Sequence, residues 1–188
     1  MKLAVLSEIR MGYAFRSRLE HDPEGGVSVI QMKDIDESSL IHIEDVTKVS
    51  LPRGKAHHQV EVGDLIFRSR GRSNTAALVS APLGDAVVAA PMLLIRPRAV
   101  LPNYLHWFIN LPSTQDRLRA MAEGTSVQMI SAEALRDFEV PVPSPECQQR
   151  IVEMAGLVQQ EQSLMEEIAH QRKRLMEGIL MRCARNTR

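Results

Sequence analysis

Short apolar runs alternate with polar loops over the first hundred residues, which is the pattern of a β-rich fold. A longer run at 85–97 predicts a buried strand that Pro91 interrupts, because a proline cannot donate to a central ladder. Four other runs have the length of a strand: KLAVL (2–6), VSVIQM (27–32), VGDLIF (62–67) and TAALVS (75–80). The last two flank an arginine-rich stretch in the manner of a hairpin.

Helical features replace this pattern after Pro97. The second of three short helices has a serine or threonine at its start and Gly124 at its end, and Ser131 caps the third. Alternate prolines then keep residues 139–145 extended. The three helices are predicted at 101–110, 113–124 and 131–138. The fold class expected is α+β, with a β-rich domain over 1–143 followed by a helical segment over 144–188.

The final segment predicts one long helix over about 145–182, with Ser144 as its cap and Pro145 in its first turn. In a heptad frame with position a at 151 and d at 154, seven of the nine core positions are apolar. Glu161 and Arg172 take the other two positions, where they could set the register. This seam favours a coiled coil with another helix over packing across the chain's own head. The apolar positions are Ile151, Met154, Val158, Met165, Ile168, Leu175 and Ile179.

The bulk composition narrows the function only slightly. Lysine plus arginine equals aspartate plus glutamate, at 23 each, so the net charge neither favours nor excludes nucleic acid. Cys147 and Cys183 show no disulfide or zinc spacing, which favours a reducing, cytoplasmic setting. No apolar run reaches membrane-spanning length.

Motifs that would indicate catalysis are missing from the sequence. It contains no P-loop, dinucleotide-binding, nucleophile-elbow or zinc-protease signature. A self-contained nuclease stays open as an alternative, with Glu61, Asp64 and Asp85 as the first carboxylates to test. Asp64 lacks the further acidic and lysine residues of such a site, and its place after Gly63 favours a turn residue. We expect no metal and no cofactor in this chain.

Arg68, Arg70 and Arg72 are two residues apart, so they would share one face of an extended strand. Three like charges on one face favour a bound anion such as DNA phosphate, and an arginine can also read a guanine edge. The alternative is a solvated loop with salt bridges. Because only 4% of residues are aromatic, duplex DNA is favoured over stacking on single strands. The candidate DNA-binding residues are Tyr13, Arg16, Arg18, Gln31, Lys33, Arg68, Arg70, Arg72, Ser73, Asn74, Ser126 and Gln128.

The order of the segments resembles that of type I restriction–modification specificity subunits. The part from Gly124 to Val152 carries this resemblance best, with a Gly-Thr loop, a short helix, a proline-containing extended segment and Gln148-Gln149 at a helix start. Four segments before it also fit the family: GYAFRSR, VIQMKDI, VGDLIFRSRG and LPNYLHWFIN. The family has two recognition domains, each followed by a spacer helix, and these helices pair antiparallel. This chain has one such unit and so resembles a half-length subunit.

The resemblance implies a non-catalytic subunit that reads a half-site in double-stranded DNA and forms a scaffold for methylation and restriction subunits. S-adenosylmethionine and ATP would be bound by those partners. A homodimer through the terminal helix would supply the second recognition domain and read a palindromic bipartite site. A truncated or recombining remnant, and a helical interaction scaffold without DNA binding, stay open as alternatives.

Overall fold

A computed structural model describes residues 1–15, 19–36, 38–43, 46–51, 58–71, 73–124 and 128–185. The chain divides into two compact units, Met1–Gln148 and Gln149–Arg188. The first unit contains both sheets and the short helices, and the second unit is helical. The α+β class expected from the sequence is confirmed.

The first unit opens with a short helix and a strand, and its remaining strands precede its longer helices. The strands of the described residues are β1 (Ser7–Met11), β2 (Val27–Ile30), β3 (Thr47–Val49), β4 (Leu65–Phe67), β5 (Ala76–Leu78), β6 (Ala86–Val88) and β7 (Leu93–Pro97). The helices are α1 (Leu3–Leu6), α2 (Pro102–Asn110), α3 (Pro112–Ala120), α4 (Ala132–Asp137) and α5 (Pro145–Arg185), with a 3-10 helix at Met32–Asp34.

Two small sheets enclose the main core. One is antiparallel with the strand order β1-β7-β4-β5, and the other has the order β3-β2-β6, in which β2 and β6 run parallel. Ile66 and Leu94 from the first sheet join Ile30 and Val88 from the second in one buried cluster. Strand β4 is buried on both faces, which explains its unbroken apolar sequence. The loops that carry candidate side chains are therefore held by a rigid double layer.

The predicted hairpin around the arginine stretch is confirmed. Strands β4 and β5 pair antiparallel, with Leu65 opposite Leu78 and Phe67 opposite Ala76. The sequence predicted one strand over 85–97 that Pro91 interrupts, but the structure has two separate strands there. The residues before it form β6, those after it form β7, and the two strands lie in different sheets.

Two boundaries differ from the sequence-based prediction. Leu3–Leu6 is a short helix and not a strand, because Leu3 and Leu6 are buried three residues apart, as on a helix, and strand pairing begins only at Ser7. Helix α3 begins with Pro112 at its first position, without a side-chain cap, and ends at Ala120 before Gly124. Gly124 does adopt a positive φ of 116°, which suits glycine.

The other predicted helices agree with the structure. Pro102 lies in the first turn of α2, and the Ser131 hydroxyl accepts a hydrogen bond from the Ala134 amide to cap α4. Helix α5 runs unbroken for 41 residues from Pro145. No helix in the described part of the chain combines the length and the apolar character needed to cross a membrane.

Candidate nucleic-acid interface

Four loops from distant parts of the sequence meet at one edge of the first unit: residues 12–15, 31–36, 68–71 and 89–91, called here the loop face. A cavity of about 570 Å³ opens there. Its walls include Phe15 from the first loop, Gln31 and Lys33 from the second, and Ala90 and Pro91 from the last. Of the twelve predicted DNA-binding residues, Tyr13, Gln31, Lys33, Arg68 and Arg70 belong to the loop face.

Backbone hydrogen bonds join these loops to each other. Tyr13 donates to the Val88 carbonyl and accepts from the Ala90 amide. The Ser69 hydroxyl donates to the Pro91 carbonyl at 2.5 Å. Gly71 lies against the Met32 side chain, since a Cβ added to this glycine would be 3.7 Å from Met32 Cε. These contacts fix the loop face to the edges of both sheets.

Two cations of the loop face point to solvent. Lys33 and Arg70 are exposed, and neither forms an ion pair with a carboxylate of the described residues. Lys33 lies on the 3-10 helix, and Arg70 forms a backbone bridge with Met129. This bridge also brings the exposed Gln128 beside Arg70. Unpaired cations that face solvent are suited to phosphate groups.

Arg68 does not face solvent as the sequence predicted. One terminal nitrogen of its guanidinium donates to two backbone carbonyls, Met32 at 3.0 Å and Ile35 at 2.8 Å. These carbonyls belong to the first residue of the 3-10 helix and to the residue that follows its last. Arg68 is therefore a structural residue that braces the loop bearing Lys33. Strand alternation could not show that another loop covers this side chain.

Asn74 was predicted to bind DNA but is buried, with 5% of its surface exposed. Its side-chain nitrogen donates to the Arg68 carbonyl at 3.0 Å. The Gln115 amide both accepts from the Asn74 backbone nitrogen and donates to the Asn74 carbonyl. Asn74 thus closes the end of the hairpin against helix α3, and its backbone groups and side-chain nitrogen are already engaged.

The remaining predicted residues have varied surroundings. Tyr13 is half-buried and packs edge-on against Phe15, with ring centres 4.5 Å apart, and against His58. Gln31 donates from its amide to the Thr47 hydroxyl at 3.0 Å, which fixes its position in the cavity wall. Ser73 is half-buried. Arg16, Arg18, Arg72 and Ser126 lie outside the described residues.

Several residues of the candidate interface were missed by sequence reasoning. Phe15 and Thr47 line the cavity, and Gln115 holds the hairpin from helix α3. Phe15 stands in a loop that was already singled out, so its apolar side chain among polar neighbours was a usable signal. Nothing in the local sequence marks Thr47 or Gln115, because their roles depend on contacts with distant segments.

Asp64 forms a buried ion pair. Its two carboxylate oxygens each accept from Arg96 at 2.7 Å, and one also accepts from the Glu61 amide. The hydrogen bonds from Arg96 to Asp64 raise the pKa of the arginine. Asp64 is therefore a structural turn residue, as the sequence favoured. Within the described ranges, no group of three or more histidine, cysteine or acidic residues could hold a metal ion.

Helix α5 exposes the predicted heptad positions. Met154 is 68% exposed, Leu175 63% and Ile179 43%, and Ile151 is half-buried. The helix also exposes apolar residues that the two-position frame left out: Leu157, Leu164, Met176, Leu180 and Met181. Leu157, Leu164 and Met176 are at the e and g positions beside the core, so the apolar stripe is wider than an a/d seam there. Leu180 and Met181 are at positions b and c, away from that seam.

The fold is that of type I restriction–modification specificity subunits. The chain is similar to the HsdS subunit from Thermoanaerobacter tengcongensis, with a TM-score of 0.64 and 18% identity over 88% of the chain. It is also similar to a chain from a structural study of complex assembly and conformational transition in the type I R-M system, with a TM-score of 0.67 and 18% identity over 87%. The S subunit from M. genitalium is similar too, with a TM-score of 0.57 and 14% identity over 85% of the chain.

The chain spans 38% of the length of each of these three structures. No protein-family model and no curated protein matches the sequence. The resemblance inferred from the order of the sequence segments is confirmed for the fold, including the long helix that follows the β-rich unit.

Proposed function

We propose that this chain is a non-catalytic specificity subunit of a type I restriction–modification system, and that its loop face reads one half-site in duplex DNA. The observation that carries this proposal is the likeness to specificity subunits over 85–88% of the chain. The loop face adds a surface of the right chemistry, with two solvent-facing cations beside a cavity that has both polar and apolar walls.

The chemistry of each exposed group suggests its task. Lys33 and Arg70 hold phosphates and set the position of the first unit on the duplex. Gln31 and Gln128 carry amides that suit an adenine edge. Sequence position suggests five further contacts: Arg16, Arg18, Arg72, Ser73 and Ser126. Tyr13 supports the loop that carries Arg16 and Arg18.

The second half-site is read by a second copy of the chain. The chain spans 38% of each similar structure, and a second copy would supply another recognition unit with its long helix. The exposed apolar stripe of α5 supports pairing through this helix. The methylation and restriction subunits then assemble on the pair and perform the chemistry.

Selection of tight-binding duplexes from a random pool, followed by titrations over a salt series, tests DNA recognition. We expect a defined site, and we expect Lys33→Met and Arg70→Met each to reduce the slope of log K against log salt by about 1. Arg98→Met is the matched control, because Arg98 is exposed but pairs with Glu8 at 3.2 Å.

Three results would contradict the proposal. The purified chain could fail to bind any duplex at low salt, or the control variant could lower the slope as much as Arg70→Met does. Magnesium-dependent cleavage of DNA by the purified chain alone would instead support a nuclease.

A further inference from the structure

Two charged side chains interrupt the apolar stripe of α5. Glu161 and Arg172 occupy heptad core positions, with apolar residues on both sides along the helix. Helix α5 is continuous through both residues, so the heptad phase is kept from one to the other. Both side chains are exposed in the single chain. If the stripe is covered by a partner, each of these charges requires an opposite charge there.

A second copy of the same helix supplies those charges in one arrangement. In an antiparallel pair with two-fold symmetry, each a position faces a d position of the partner. One register places Glu161 opposite Arg172 of the other copy. In that register the residue numbers of every facing core pair sum to 333. The same register places Met154 opposite Ile179, Val158 opposite Leu175, and Met165 opposite Ile168. Every core layer between residues 154 and 179 is then either apolar or oppositely charged.

Neighbouring registers lose this match. A shift of one heptad in one direction places Glu161 against Met165 and Arg172 against Met154. A shift in the other direction places Glu161 against Ile179 and Arg172 against Ile168. A parallel, in-register pair would bring each charge against its own copy, which is repulsive. Only the first arrangement satisfies both charges.

Residues beside the core fit the same register by size. The flanking positions of an antiparallel pair place Leu157 opposite Gly178 and Met176 opposite Ala155 of the partner. A Cβ added to Gly178 would meet no atom within 4 Å in the single chain, so its surface is open to a partner side chain. On each flank at least one large residue therefore faces a small one, as close packing of two helices favours.

We propose that two copies of this chain pair antiparallel through α5 in the register that joins Glu161 of each copy to Arg172 of the other, with the two-fold axis between residues 166 and 167. The inference deepens the proposed dimer and rests on it. Glu161 and Arg172 together select the partner, the direction and the register, because each alternative described above leaves both charges against an apolar residue or a like charge.

Charge reversal in the full chain, followed by sedimentation equilibrium, tests the pairing. Glu161→Arg and Arg172→Glu should each weaken the homodimer by roughly tenfold or more, because both of the layers that join positions 161 and 172 then carry like charges. An equimolar mixture of the two variants should form a heterodimer as tight as the wild-type dimer. The double variant should regain the homodimer. Glu167→Arg, outside the core positions, is the matched control and should leave dimerisation unchanged.

Disulfide trapping in a Cys147→Ser, Cys183→Ser background tests the register directly. Val158→Cys with Leu175→Cys should cross-link two chains under mild oxidation. Val158→Cys alone should not, since its two copies would lie about 25 Å apart along the pair, far beyond disulfide reach. Cross-linking by Val158→Cys alone would overturn the antiparallel register and leave the dimer intact. A wild-type chain that stays monomeric at all concentrations would overturn both the dimer and its register. The duplex titrations test DNA recognition independently of this result.

Discussion

Asp64 and Arg96 form the most deeply buried charge pair of the described residues, with side-chain exposures of 2% and 13%. We predict that Asp64→Ala lowers the free energy of unfolding by about 3 kcal/mol, because it removes the buried partner of the arginine and leaves only the exposed Glu61 carboxylate to pair with it. Urea denaturation measures this loss. Glu61→Ala is the control, since Glu61 binds the same arginine from a side chain that is 63% exposed, and it should cost less than about 1 kcal/mol.

Arg68 and Arg70 are two residues apart, but their side chains have different partners. We predict that Arg68→Met lowers stability by about 2 kcal/mol through the loss of two charged hydrogen bonds, whereas Arg70→Met lowers DNA affinity at unchanged stability. Thermal melts and salt-dependent binding separate the two effects. Arg136→Met should cost less than Arg68→Met, because Arg136 donates to one carbonyl, that of Ile9. An Arg68→Met variant of normal stability but reduced salt dependence would show that Arg68 contacts DNA after all.

The sequence identified the right loops but could not assign the role of each side chain in them. Alternation predicted that Arg68 and Arg70 would share one side of the chain, yet Arg68 is half-buried and Arg70 is exposed. It contained no information about the 3-10 helix and Ile35, which come 33–36 residues earlier and supply both carbonyls that bind Arg68. Asn74 shows the same difficulty, because an asparagine beside a turn is equally suited to closing the turn and to reading a base.

Close packing of the loop before Tyr13 against the Ala89–Ala90 segment depends on Gly12. A Cβ at this position would lie 2.7 Å from the Ala89 carbonyl carbon. We predict that Gly12→Ala destabilises the first unit by about 1–3 kcal/mol, because backbone on both sides would have to move. Differential scanning calorimetry measures the change. The exposed Gly26 has no atom within 4 Å of its would-be Cβ, so Gly26→Ala should be neutral. Equal effects of the two substitutions would contradict this account.

Elements with strong local signals were predictable, and those decided by distant contacts were not. Strands β4 and β5 and helices α2, α4 and α5 follow directly from apolar period, proline position and capping residues. Leu3–Leu6 was misassigned because a short apolar run fits either a helix or a strand. Strand β3 at Thr47–Val49 lies in a polar stretch, and it exists because its backbone pairs with β2.

The boundary between the two units is tied to the buried Gln148. Its side-chain oxygen accepts from the Leu101 amide at 2.9 Å, and its nitrogen donates to the Pro143 carbonyl. We therefore predict that a fragment of residues 1–152 is more stable than one that ends at 143, the boundary expected from the sequence. Comparing their melting temperatures tests this. Gln148→Ala in the longer fragment should remove most of the difference, at a cost of about 1–3 kcal/mol. If the two fragments melt together, Gln148 does not secure the unit.

The turn from Ala89 to Met92 belongs both to the interior and to the surface that we propose for DNA. Met92 is fully buried in the main core, Ala90 and Pro91 line the cavity, and the carbonyls of Pro91 and Met92 accept from Ser69 and Gly12. A mutation here that altered the cavity would also loosen the joint between the sheets. New target sequences should therefore evolve through solvent-facing side chains such as Lys33, Arg70 and Gln128, while this turn stays nearly invariant among descendants that recognise different DNA.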